Sequence, residues 1–444
     1  MKKKILSAIL MLSIIFSSLS MTSCLVAGWN TGTGTGAGGG TESGSPAINY
    51  SKEDLDAVVN EILEDRLNTN FDINHITINS SEPSSLIAAS KGVLSSVSVY
   101  STFTVKTYIG FGPIRDWGTT EATAAGSGVI FRMSAEDKVS GDAYIITNYH
   151  VVYNAEATSK NHIADKIELY LYGMEKEKYA IPAEYVGGSM MYDIAVLKVT
   201  ASDILRKSNA MEATFADSDD VTILETAIAI GNPEASGISA TVGHINVDSE
   251  YVEMVLPDEQ TLSEMRLMRI DTAVNGGNSG GGLFNERGEV IGIVNAKITS
   301  STIDNIGYAI PSNVARLVAE NIIHYESTGA ECAKRGTIGI TLSSDPDSYT
   351  SYDKETGKVH IIEKVVIADV NKGSLADGKL QVGDEILSLK IGENEPHQVS
   401  RYFNVVERML GARAGDSVVF VIVRDGAQME VSFTITEASL NDII

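Results

Sequence analysis

"AVNGGNSGGGLF", residues 273–284, wraps five glycines around a single serine, Ser279. Glycine in ordered structure costs backbone entropy, so such a cluster marks sharp turns, positive φ angles or close approach of backbone to a ligand. A flexible surface loop would explain the glycines too, and the rest of the chain has to decide. Gly277-Asn278-Ser279-Gly280-Gly281 also satisfies the G-x-S-x-G pattern of an α/β-hydrolase elbow. An elbow needs a strand before the serine, a helix after it, and acid and histidine later in the chain. Here Ser279 is followed by a strand, a turn at Glu286-Arg287-Gly288 and another strand, and no helix starts on three glycines and runs through that turn. The elbow fails.

Outward from this stretch, residues 85 to 310 read as strands. "GVLSSVSVY", "GSGVIFRM", "AYIITN", "KIELYLYG", "DIAVLKV", "LMRIDT" and "IGYAIP" are short, β-branched and punctuated by Gly, Asn and Asp. Long helices between them are missing, which argues against a parallel α/β sheet. After Pro311, Val314, Leu317, Val318 and Ile322 recur at helical spacing and close the unit. The last stretch alternates again. "KVHIIEKVV", "EILSLKI", "SVVFVIVRDG" and "MEVSFTI" surround a helix carrying Val399, Phe403, Val406 and Leu410, which makes a small α+β module. "LSSDPDSYTSYDKETGK", residues 342–358, reads as a polar insertion.

A serine hydroxyl needs a base, and the candidates lie upstream. Of seven histidines, His150 in "YIITNYHVV" sits just past a buried-looking strand, where an imidazole can be held rigidly. In "YDIAVLKV", Asp193 immediately precedes a strongly hydrophobic strand. His75, His162, His244, His324, His360 and His397 lack comparable settings. Each feature alone carries little weight.

The order His-Asp-Ser, with "TNYHVV", "DIAVLKV" and "GGNSGG", resembles the chymotrypsin-like serine proteases, and specifically the HtrA (Deg) family of bacterial envelope proteases. "AAGSGVIF", "AIAIGNP" and "IGYAIPSN" agree, and the likeness covers roughly residues 85–437. The resemblance implies a mainly β fold: a double six-stranded β-barrel protease domain followed by a small α+β PDZ domain. It implies His150 as base, Asp193 as its support, Ser279 as nucleophile, and the Gly277 and Ser279 N–H groups as oxyanion hole. Val294, Asn295 and Ala296 would line the primary pocket, which holds no acid and so suits a small aliphatic residue. Gly276 and Gly282 stand where the family commonly has proline, which relaxes the chain near the nucleophile. "GSLADGKLQVGDEILSLKIG" resembles the most recognisable stretch of bacterial PDZ domains, with Thr337-Ile338-Gly339-Ile340 as its carboxylate-binding loop. A degenerate module used only for packing is the alternative. Relatives commonly form trimers and handle misfolded envelope proteins.

At 444 residues the chain is long enough for two or three domains. Its 34 basic against 58 acidic residues, net −24, argue against a nucleic-acid surface. Lys2, Lys3 and Lys4 precede "ILSAILMLSIIF", too short for a membrane span and shaped like a signal peptide. Ser23 before Cys24 resembles a lipobox, so Cys24 is the expected lipidation site and membrane anchor, although Met21 stands where that motif prefers leucine; plain secretion and an uncleaved anchor are the alternatives. Cys332 then has no intramolecular partner, and the fold cannot rest on disulfides. "NTGTGTGAGGGTESGSP" is a flexible tether, lacking the Gly-Lys-Ser/Thr of a phosphate loop. Ser51 and Asp54 suit a capping box for a helix striped by Leu55, Val58, Val59 and Ile62.

The expected domains are a signal peptide (1–23), tether (24–48), helical segment (49–84), protease domain (85–325), linker (326–336) and PDZ domain (337–437). The expected function is serine endopeptidase action on unfolded or misfolded envelope proteins, with a PDZ groove for peptide capture or regulation. The alternative is a catalytically silent peptide-binding scaffold. Protein and peptide substrates and a membrane are the expected partners, nucleic acid is not, and no cofactor or metal is expected.

Overall fold

Along Lys166–Leu171, Ile167, Leu169 and Leu171 are buried while Lys166 is exposed and Glu168 and Tyr170 are half-buried. That period of two is what a sheet with one covered face requires. The computed structural model describes residues 84–109, 116–296, 306–328 and 333–443. The expected signal peptide, the Cys24 site, the tether, the helix near 51–67 and Cys332 lie outside the described residues. Among the described residues, no helix is long and apolar enough to cross a membrane.

Two closed barrels of six strands each follow one another. The first comprises β1 (Ser96–Ile109), β2 (Asp116–Arg132), β3 (Ala143–Thr147), β4 (Lys166–Leu171), β5 (Ile181–Ser189) and β6 (Ile194–Val199), in the order β1-β2-β3-β6-β5-β4. The second comprises β7 (Thr226–Gly231), β8 (Ser239–Val255), β9 (Leu262–Ile270), β10 (Gly282–Phe284), β11 (Val290–Asn295) and β12 (Gly307–Pro311), in the order β10-β11-β12-β9-β8-β7. Closure leaves neither sheet a free edge. Val97, Ile145 and Leu197 fill the first barrel, and Ala229, Met268 and Leu283 the second. A third apolar cluster forms the seam between them, with Val129 and Ile146 from one side and Ile230 and Phe284 from the other. Burying each such side chain contributes about 1.5–3 kcal/mol, so the barrels are held as one block.

Two helices seal that seam. Helix α1 (Ser84–Leu94) buries Ala88 there, and α3 (Ser312–Thr328) buries Val314, Ala315, Val318 and Ile322; a single turn, α2 (Tyr149–Val152), lies between them in sequence. Helix α1 replaces the start of the strand expected at "GVLSSVSVY". A methyl group on Gly92 would lie 2.5 Å from the Ile230 side chain, so this glycine lets the helix close on the barrel rather than breaking it.

The C-terminal module has strands β14 (Ile340–Tyr352), β15 (Val359–Val370), β16 (Glu385–Ile391), β17 (His397–Gln398), β18 (Ser417–Arg424) and β19 (Ala427–Thr434), and helix α4 (Tyr402–Arg408). The sheet order is β14-β15-β16-β18-β19, with β17 paired to β16. Phe420 and Phe433 meet edge to face at 6.0 Å in its core. The polar stretch 342–358 is mostly strand: β14 pairs with β15 from Ile340↔Val370 to Tyr352↔Val359, and its polarity suits a largely exposed hairpin. The expected linker 326–336 holds the last turn of α3 and a short strand, β13 (Lys334–Gly336). β13 pairs with β20 (Leu440–Asp442), beyond the expected domain end.

Helix α4 is bolted to the second barrel. Arg266 on β9 grips Glu407 with two hydrogen bonds, the Nη2–Oε2 one at 2.6 Å, and both side chains are buried. The Arg266 guanidinium lies 3.9 Å from the Phe403 ring, and Tyr402 stacks on Tyr251 at 5.6 Å. Removing one partner of such a buried ion pair costs about 3–5 kcal/mol.

Candidate active site

Asp193 ends the turn between β5 and β6, is fully buried, and adopts φ +48°, a left-handed conformation that few residues other than glycine hold. Its surroundings enforce it. Tyr149 N donates to the Asp193 carbonyl at 3.2 Å and Asn148 Nδ2 at 2.8 Å. The carboxylate receives the His150 N–H on Oδ1 at 3.0 Å, and Oδ2 lies 2.7 Å from His150 Nδ1. Asn295 Nδ2 donates to that same Oδ2 at 2.9 Å. A carboxylate so tied fixes both the position and the tautomer of the imidazole it faces. Burial pushes the phenol of Tyr149, beside His150 in the chain, up to about 12, so it stays neutral.

Ser279 lies between β9 and β10, on the opening stretch. Asn278 N donates to Asn275 O at 3.0 Å, closing a four-residue turn whose third residue, Gly277, has φ +96°. A positive φ there is the type II arrangement, which selects glycine. A Cβ on Gly277 would meet Asn232 O at 2.2 Å. Glu234 N holds the Gly276 carbonyl at 2.8 Å, which points the Gly277 N–H the opposite way within that trans peptide plane. Among the described residues, neither the Gly277 nor the Ser279 N–H donates a hydrogen bond.

Close packing carries this loop to the histidine. Ser127 N donates to the Ser279 carbonyl at 2.8 Å, and Thr147 Oγ1 to the Ser127 carbonyl at 2.7 Å. Gly280, at φ +83°, would place a Cβ 2.2 Å from Ser127 O and 2.9 Å from Asn148 N. A Cβ on Gly126 would lie 2.6 Å from Val151 and 3.2 Å from the Ser279 carbonyl. Consecutive residues then touch the two remaining members: Asn295 bonds Asp193, and Ala296 N donates to Ser279 Oγ at 3.2 Å. Among these described side chains no His150–Ser279 hydrogen bond is formed; the hydroxyl faces Ala296 instead. Catalytic hydrogen bonds are often long before substrate binds, so the missing bond does not by itself exclude the pair.

The expected pocket residues divide. Val294 is fully buried in the second barrel's core, and Asn295 is turned onto Asp193, so neither side chain lines a substrate pocket. Ala296 alone of the three stands beside Ser279. The Asn295 role was missed because nothing in sequence brings it near Asp193.

At Thr337–Ile340, Thr337 N and Oγ1 donate to Ser439 O at 2.7 and 3.1 Å. Gly339 has φ +79°, and a Cβ there would lie 2.2 Å from that of Ser374. Among the described residues, the Ile338 and Gly339 N–H groups donate to nothing. They border a groove of about 390 Å³ between β14 and α4, walled by Ile340, Leu342, Val405, Val406 and Met409. Val406, expected on the apolar face of its helix, is 40% exposed at this groove. Elsewhere Asp217, Asp219 and His397 offer ligand atoms within 4.8 Å of one another, but Arg408 reaches both carboxylates and already supplies positive charge.

Residues 126–293 match the trypsin-like peptidase domain family. Over 329 residues the chain is 31% identical to the serine protease Do-like HtrA of Lactococcus lactis subsp. cremoris, covering 72% of each protein. The chain belongs to the HtrA family of serine proteases. It is also 32% identical over 313 residues to the Do-like HtrA of Bacillus subtilis, covering 69% of this chain and 62% of that one. A probable periplasmic DegP-like endoprotease of Chlamydia trachomatis is 32% identical over 308 residues, covering 68% of this chain and 54% of that protein. Among solved structures, an HtrA-type protease, AlgW, with a decapeptide aligns over 79% of this chain and 98% of its own, at 25% identity and a TM-score of 0.48.

Proposed function

We propose that this HtrA-family serine endopeptidase cuts unfolded protein chains with His150, Asp193 and Ser279 acting as one unit. His150 Nε2 takes the Ser279 proton as the hydroxyl attacks a peptide carbonyl, then gives it to the leaving amine. Asp193 holds Nδ1 and stabilises the imidazolium. The carbonyl oxygen, now negative, is received by the Gly277 and Ser279 N–H groups, whose lack of any acceptor among the described residues supports this role. The observation that carries the reading is the pairing of consecutive residues Asn295 and Ala296 with Asp193 and Ser279. With the small, uncharged Ala296 beside the nucleophile, a small aliphatic side chain suits the primary pocket.

The C-terminal module is read as a PDZ domain. β14 ends its sheet, so an extended peptide can add to it as a further strand while the Ile338 and Gly339 N–H groups hold its carboxylate. Cys24 would carry the lipid that tethers the enzyme to a bacterial envelope membrane, where misfolded proteins are the substrate class; a homotrimer follows from family resemblance alone.

The test compares cleavage of an unfolded protein, and labelling by a fluorophosphonate, between the native chain and Ser279→Ala. Both should vanish in the variant. A native chain that binds C-terminal peptides but neither cleaves nor labels would instead be a silent scaffold.

A further inference from the structure

The turn before Asp193 is held by a residue outside both barrels. Tyr192 packs against the seam core, and its hydroxyl accepts a hydrogen bond from Arg335 Nη1 at 3.0 Å. Burial raises the Tyr192 phenol against the pull of Arg335, so the guanidinium meets a neutral hydroxyl. Arg335 lies on β13, the strand joining α3 to the C-terminal module, with its backbone paired to Asn441. β13 is itself fixed: Asn321 of α3, fully buried, accepts from Lys334 N at 3.0 Å and donates to Lys334 O at 2.6 Å and Leu410 O at 2.7 Å. Arg335 also borders the groove beside Thr337–Ile340.

We propose that Arg335 and Tyr192 are positioning residues for the Asp193–His150 pair, so that the strand leading into the C-terminal module sets the carboxylate from outside the protease domain. This rests on the reading of Asp193 as a member of the catalytic unit. The physical need is clear from the backbone. A non-glycine residue at φ +48° persists only where its surroundings over-determine it, and the residue just before it is the one that Arg335 grips. Freed, the turn can relax toward ordinary dihedrals, moving the carboxylate relative to Nδ1. Displacements near 1 Å cost up to about a hundredfold in turnover.

The test uses the full chain and a fluorogenic peptide spanning a cleavage site mapped in an unfolded protein. Tyr192→Phe removes only the hydroxyl and keeps the ring in the seam. It and Arg335→Ala are each expected to lower kcat about tenfold with KM unchanged. The double variant should fall no further than either single one, because both remove the same bond. Arg335→Lys, which keeps a donor, should recover part of the loss. Normal kcat in Tyr192→Phe, with Ser279→Ala inactive, would overturn the proposal while leaving the catalytic reading intact. Should Arg335→Ala fail to fold, Tyr192→Phe still decides. Cleavage that survives Ser279→Ala would take down the catalytic reading and this proposal with it.

Discussion

Asn295 donates its side-chain amide to the same Asp193 oxygen that faces His150, at 2.9 Å against 2.7 Å. The buried carboxylate thus has donors on both sides, and the imidazole is not its sole restraint. Removing a hydrogen bond to a charged group costs about 1.5–3 kcal/mol. Asn295→Ala is therefore expected to lower kcat by about ten- to a hundredfold with little change in KM. Asn295→Asp should do worse, since it sets a second carboxylate against the first. Steady-state kinetics on a peptide substrate checks both, and an unchanged kcat in Asn295→Ala would make the bond structural only.

The turn at Asn275–Asn278 gives its two glycines different demands. Gly277 needs its positive φ, and a Cβ there runs into Asn232 O. Gly277→Ala is expected to cost about 10²–10³ in turnover by displacing an oxyanion donor. Gly276 occupies the second position of the turn, where proline is favoured, and a Cβ there meets nothing within 4 Å. Gly276→Pro should fold normally, keep its activity and gain about 0.4–1 kcal/mol of stability through a less free unfolded chain. A denaturant melt with parallel kinetics distinguishes the two glycines.

The strands were legible from burial, with period two along Lys166–Leu171 and a continuous buried run along Val290–Asn295, while their closure into two barrels came from the family resemblance. The glycine cluster read in sequence as either tight turns or a flexible loop, and the positive φ and close backbone approach at Gly277 and Gly280 decide for the turns. Helix α1 was not, since Val93 and Leu94 suit a strand as well as a helix, and the deciding fact is Gly92 meeting Ile230 across the chain. Asn295 on Asp193 and Arg335 on Tyr192 join residues 102 and 143 positions apart. No local pattern encodes such pairs; they exist only once the second barrel and the module are docked.

Asp384, of the Gly383-Asp384 pair that marked the C-terminal module in sequence, is buried against Arg424, with Nε–Oδ1 at 2.7 Å and Nη2–Oδ2 at 2.6 Å. Burial alone would raise its carboxyl, but Arg424 and the Gln381 N–H outweigh that and hold it below the usual range. A carboxylate depressed in the folded state stabilises above its unfolded value, about 3.9, and that contribution is lost as pH falls through the folded one. Asp384→Asn should thus melt several degrees below the native chain at pH 7, with the gap closing below about pH 4. Thermal melts across that range check the sign; a gap that widens in acid would contradict it.

The most direct measurement is a crystal structure of the chain after reaction with a fluorophosphonate. The phosphorus should be bonded to Ser279 Oγ, with one phosphonyl oxygen about 2.7–3.1 Å from both the Gly277 and Ser279 N–H groups. His150 should lie beside the modified oxygen, still held by Asp193. A label on another residue, or a phosphonyl oxygen turned away from those two amides with His150 out of reach, would contradict the account.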